Sequence, residues 1–223
     1  LHTEAVAYVS GRADSMSAAF MFAGLSMALA RAAGPAGWTA TALSLVCYIF
    51  ALLSKESSFI YPVLLAIGLW ITADPGSSAH RLRRRIALIG ALVVLGTYGA
   101  LRTTVLSFGS GGGAADIPLM QRLTDAVQAF GRYVELMFYP VNLHMQRNTL
   151  EGATFLTTIA GLLLLSACVF FAAAMALYKQ RRAAGGMTWF LAAWFPISGV
   201  FTLNAPMAEH WMYVPMAGFW LAL

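Results

Sequence analysis

The sequence predicts an all-α protein, a polytopic transmembrane helix bundle of about seven spans with one amphipathic helix on its outer face. Three observations carry this. Of the 223 residues, 60% are hydrophobic and only 10% charged, against roughly 45–50% and about 25% in soluble domains. Apolar runs near the length a membrane span needs, about 17–20 residues, recur along the chain. Lysine and arginine gather in alternate connectors, as the positive-inside rule requires. The composition excludes a soluble enzyme, a nucleic-acid-binding module and a disordered segment, although the isoelectric point is near 9.5. The formal charge of +5 is a topology signal and not a nucleic-acid signal.

The spans are read in order as Met16–Ala33, Trp38–Ser54, Ser57–Ala73, Ile86–Arg102, Ala153–Tyr178, Met187–Leu203 and a segment from Trp211 to the last residue. The second and third would merge into one helix but for Lys55-Glu56 at the centre of the run and Pro62 just after it. The chain breaks there, because an adjacent charge pair is costly in a bilayer and proline cannot continue a helix. Between the fourth and fifth spans, Ser107 to Gly113 is a glycine-rich flexible loop with no G-K-[ST] to make it a phosphate cradle. Asp116 and Pro118 then signal a helix start. Leu119, Leu123, Val127, Phe130, Val134 and Met137 recur at spacings of three and four, with Arg122, Asp125, Arg132 and Glu135 opposite, and Pro140 ends the run. That is an amphipathic helix, set either flat on the outer leaflet or over the bundle. Cys47 and Cys168 lie inside apolar runs and are read as packing residues.

Alternation puts three basic connectors on one side: Arg31 to Gly37, Asp74 to Arg85 and Lys179 to Gly186. That side, cytoplasmic by the positive-inside rule, carries +7. The opposite side carries −2, with eight of the nine acids and three of the four histidines. Ionisable groups near a bilayer are expensive and mark a site or an aqueous cavity, so the chemistry is expected outside. The competing reading of each group is a solvated outer face.

Four clusters lie on that side: His2 to Asp14 before the first span, Leu53 to Ser58, Tyr139 to Arg147, and Ala208 to Pro215. Arg12, Lys55, Arg102, Arg147 and His210 are candidates to converge on a phosphate, since the arginine fork binds phosphate oxygens in pairs and lysine acts as a point charge. Glu4, Asp14, Glu56 and Glu209 offer a base for an acceptor hydroxyl or partners for the cations; of these Glu4, Asp14 and Glu209 are the catalytic candidates. His2, Glu56, His144 and Tyr213 are read as supporting residues. Structural alternatives stand beside each: Arg12 paired with Asp14, Lys55 and Glu56 capping a turn, Glu209 serving the helix dipole, Trp211 and Tyr213 forming an aromatic belt. No ligand spacing implies a metal or other cofactor. A polyprenyl-phosphate sugar matches the anatomy: an apolar tail, an anionic neck and a sugar in water.

The blocks HTEAVAYVSGRADSMSAAF, LLSKESSF, YPVNLHM and AEHWMYVPMAGF resemble, in order and spacing, the membrane core of the transmembrane and tetratricopeptide-repeat-containing glycosyltransferases. The resemblance runs from His2 to Phe219. It implies a fold of the GT-C superfamily and transfer of a sugar from a polyprenyl- or dolichyl-phosphate donor, mannose in the animal members, to a protein hydroxyl. It further implies Arg12, Lys55 and His210 at the phosphate, and Glu4, Asp14, Glu56 and Glu209 as acidic members. Three departures follow from the comparison of blocks. The acidic residue usual in the first outer loop would lie upstream of Leu1, and the repeats would follow Leu223. His210 stands where the family commonly has arginine, which would make the charge there pH-dependent.

The chain opens without methionine and stops within an apolar stretch, so residues 1–223 are expected to be a partial GT-C-like transmembrane domain. Expected location is the bacterial cytoplasmic membrane, with the endoplasmic reticulum membrane as alternative and the site on the outer or lumenal side. Expected partners are the lipid-linked sugar, a protein acceptor and membrane lipids, with no nucleic acid. Two other functions remain open: a transporter or lipid-linked-sugar flippase, and a non-catalytic membrane scaffold for a repeat domain. Apolar mid-span positions and the lack of an internal repeat argue against transport.

Overall fold

The computed structural model describes residues 12–30, 34–73, 78–104, 118–141, 154–200 and 207–223, and these are helical with no β-strand among them. They fall into two compact units, residues 12–104 and residues 118–223. Among the described residues, three helices are long and apolar enough to cross a membrane: Gly34–Ser54, Ser78–Thr104 and Phe155–Leu177.

The first unit begins with α1 (Arg12–Leu29), rich in alanine, methionine and leucine, with Asp14 in its first turn facing the positive end of the helix dipole. α2 (Gly34–Ser54) opens on Gly34 with φ +59°, a conformation that suits glycine, followed by Pro35. Its end is the break expected at Lys55, which is extended (φ −155°, ψ 135°). A 3-10 turn (Glu56–Ile60) then leads into α3 (Tyr61–Ile71), where Pro62 occupies the first turn. α4 (Ser78–Thr104) starts eight residues before the expected span, taking the basic run into the helix. The reason is Arg83, only 4% exposed, whose guanidinium donates to the carbonyls of Ala30 and Gly37. An arginine that supplies a donor to the carbonyl past a helix end, here Ala30, is better buried than solvated. Arg84 likewise donates to the carbonyl and hydroxyl oxygens of Thr72.

The second unit is α5 (Leu119–Phe138), α6 (Phe155–Leu177), α7 (Arg181–Trp194) and α8 (Tyr213–Ala222). α6 opens on a capping box in which Thr154 and Thr157 each accept the other's backbone N–H, at 3.3 and 2.8 Å respectively. It closes on Lys179 at φ +59°, with Gln180 N–H returning to Met175 O at 2.8 Å. Apart from Gly161, α6 buries no residue, and Phe155, Leu156, Leu163, Phe170 and Leu177 are exposed. An apolar helix bare on nearly every side suits lipid and not water.

α5 is the amphipathic helix, and of its two expected placements it takes the packed one. Its buried face is Ala126, Ala129, Phe130, Tyr133 and Leu136, whereas Leu119 and Leu123 of the expected stripe are exposed. The helix is turned because small residues set the approach. A Cβ on Gly161 would meet the Val127 backbone, and one on Gly131 would come within 3.3 Å of Gly161 Cα. Backbones come that close only where at least one partner is glycine. α7 and α8 meet the same way: a Cβ on Gly186 would lie 2.7 Å from Gly218 O, and one on Gly218 would lie 2.6 Å from Phe190 N. Around them pack Phe130, Phe190, Trp194, Met207, Met212 and Met216.

Candidate functional site

At the end of the first unit remote from Arg83, the start of α1, the 3-10 turn and the last turn of α4 come together. Lys55 Nζ forms an ion pair with Asp14 Oδ1, and Arg102 with Glu56 Oε1. The neighbours Lys55 and Glu56 therefore do not pair with each other. The extended Lys55 points its side chain to α1, while Glu56 reaches α4. The two bridges differ in setting: the Asp14 side chain is 13% exposed and that of Glu56 63%. Arg12, the first residue of the unit, is exposed.

One turn further in, Ser17 and Ser58 hydroxyls lie 2.6 Å apart, and Ser58 donates to Ala51 O at 2.9 Å. Ser17 has its own second acceptor, Met21 Sδ at 3.9 Å, so either hydroxyl can give its single proton to the other. The hydroxyl pair runs parallel to the Asp14–Lys55 bridge and ties the same two segments. Deeper still, Ser44 and Tyr61 hydroxyls are 2.9 Å apart, and the Tyr61 ring stacks on Tyr48 at 4.4 Å.

In the second unit, Glu209 and His210 open a 3-10 turn (Glu209–Met212) that runs into α8. Both are buried, at 2% and 7% exposure, an unusual setting for ionisable groups. The His210 ring meets Trp211 edge-on at 6.0 Å, and Tyr213 is half-buried. Glu209 is the acidic residue of the turn's first positions, as the helix-dipole reading expects. The turn is anchored from α5. Tyr133 Oη donates to Ala208 O at 3.0 Å and accepts from Ala208 N at 3.1 Å. Burial pushes the Tyr133 hydroxyl well above its ordinary range; the bond to Ala208 lowers it somewhat and the nearby Glu209 raises it.

Of the sequence candidates, Asp14 is joined to Lys55 and Glu56 to Arg102 in the first unit, and Glu209, His210 and Tyr213 share one turn in the second. His2, Glu4, His144 and Arg147 lie outside the described residues. Tyr133 and the Ser17–Ser58 pair were not singled out by sequence. Tyr133 carries a signal, a hydroxyl within an apolar helix face, which alone looks like any buried aromatic. No family model, curated protein or solved structure matches the chain.

Proposed function

We propose that the chain is the membrane core of a GT-C-type glycosyltransferase, with seven spans, that transfers a sugar from a polyprenyl-phosphate donor to a protein hydroxyl on the outer or lumenal face. The observation that carries this reading is the gathering of Lys55, Arg102, Asp14 and Glu56 at one end of the first unit, opposite the arginine-rich end. Two cations held by carboxylates at the end of apolar helices suit an anionic lipid neck. The four sequence blocks and their resemblance to the repeat-containing glycosyltransferases support the same reading. Lys55 and Arg12 are then donor-phosphate ligands, with Arg102, Arg147 and His210 assisting. Asp14, Glu4 and Glu209 are the acidic members that deprotonate the acceptor or orient the cations.

The test uses the full chain in lipid nanodiscs with short-chain polyprenyl phosphate and its mannosyl derivative as probes. Arg12→Ala and Lys55→Ala should each weaken polyprenyl-phosphate binding about tenfold, the loss of one charge-assisted contact. Wild-type affinity in both variants would overturn the phosphate role. Glu209→Gln should lower mannosyl transfer while binding persists. Movement of the lipid across the bilayer without transfer would replace the enzyme with a flippase.

A further inference from the structure

We infer that Tyr133, a residue of the amphipathic helix, is the positioning residue for the Glu209–His210 turn. The inference rests on the proposed role of Glu209 and adds to it the element that fixes where that carboxyl stands.

The geometry is specific. A tyrosine hydroxyl has one proton to give and lone pairs to receive, and Tyr133 directs both functions at one peptide position, Ala208. Ala208 is the extended residue (φ −142°, ψ 129°) that starts the turn, and its carbonyl also accepts the Trp211 N–H at 3.1 Å. Ala208 is fully buried and Tyr133 1% exposed, so water does not compete for either bond. A buried main-chain group left without a partner is expensive. The pair of bonds therefore sets the residue before Glu209 in both translation and rotation. The phenol keeps its proton throughout the working range, because burial opposes the charged form. Phe130 and Leu136 on the same buried face hold the ring by packing alone, and neither has a polar atom to offer the turn.

The experiment compares wild type, Tyr133→Phe and Leu136→Ala in nanodiscs. Amide hydrogen exchange is read at Ala208, Trp211 and Phe190, and the Glu209 carboxyl carbon resonance is followed by NMR of labelled glutamate, assigned by its loss in Glu209→Gln. Tyr133→Phe is expected to speed Ala208 exchange about tenfold, as the loss of a hydrogen bond does, and to displace the Glu209 resonance, while Phe190 exchange holds. Leu136→Ala should speed all three amides together and leave that resonance in place. An unchanged Ala208 amide or an undisplaced Glu209 resonance in Tyr133→Phe would overturn the inference. Should Tyr133→Phe fail to fold, fast exchange of the Ala208 amide in the wild-type chain overturns it equally, and strong protection there upholds it. These readouts need no sugar transfer, so they stand apart from the fate of the glycosyltransferase reading.

Discussion

The two units hold their ionisable residues by opposite means. In the first, Asp14, Lys55, Glu56 and Arg102 reach across from different helices and meet as ion pairs with side chains open in part to solvent. In the second, Glu209 and His210 are buried, and the turn bearing them is fixed through backbone bonds to Tyr133 and through close helix packing at Gly186 and Gly218. Charge arranges the first site and main-chain geometry the second. A perturbation should therefore act on one unit and spare the other.

The largest effect is expected from steric change in the second unit. Gly186→Val places a Cβ against Ala222 N and 2.7 Å from Gly218 O, both backbone atoms, so neither side can yield cheaply. A cost of about 3 kcal/mol or more is expected, read as a lowered unfolding midpoint in detergent. Residues 12–104 should keep their hydrogen-exchange protection, and loss of it there would break the contrast. A smaller effect should come from the ion pairs. A double-mutant cycle with Asp14→Asn and Lys55→Met should give a coupling of about 1 kcal/mol, and one with Glu56→Gln and Arg102→Met about 0.3 kcal/mol. The second should vanish in ~1 M salt while the first survives in part. Equal couplings would mean that exposure does not distinguish the two bridges.

The smallest effect concerns pH. Asp125 on α5 is half-buried, and burial raises its carboxyl above the ordinary value. Such a group favours folding below its ordinary pKa, and that contribution is lost as pH rises through the raised one. Asp125→Asn should flatten this acid-side dependence and shift stability at neutral pH by less than about 0.5 kcal/mol. A steeper dependence in the variant would reverse the sign assigned to Asp125.

Much of the fold was legible because its signals are local. Lys55-Glu56 followed by Pro62 marked the break between α2 and α3, and Pro118 and Pro140 bracketed α5. The partners were not legible. Asp14 and Lys55 are 41 positions apart, and nothing at position 55 says which helix its side chain will reach. The same holds for Tyr133, whose stripe of large apolar neighbours predicted a face that glycine packing then turned aside. Likewise the basic run before Ile86 read as connector, because main-chain carbonyls waiting for Arg83 leave no trace in composition.

That last arginine has a consequence for how the chain assembles. The oxygens it serves are those of Ala30, just past α1, and Gly37, in the first turn of α2, where Thr41 Oγ1 already donates at 3.1 Å. One guanidinium supplied 53 and 46 positions later in the chain thus clasps the end of one helix and the start of the next. Closing that clasp is a long-range step, so the first helical pair gains its pin only once α4 is in place.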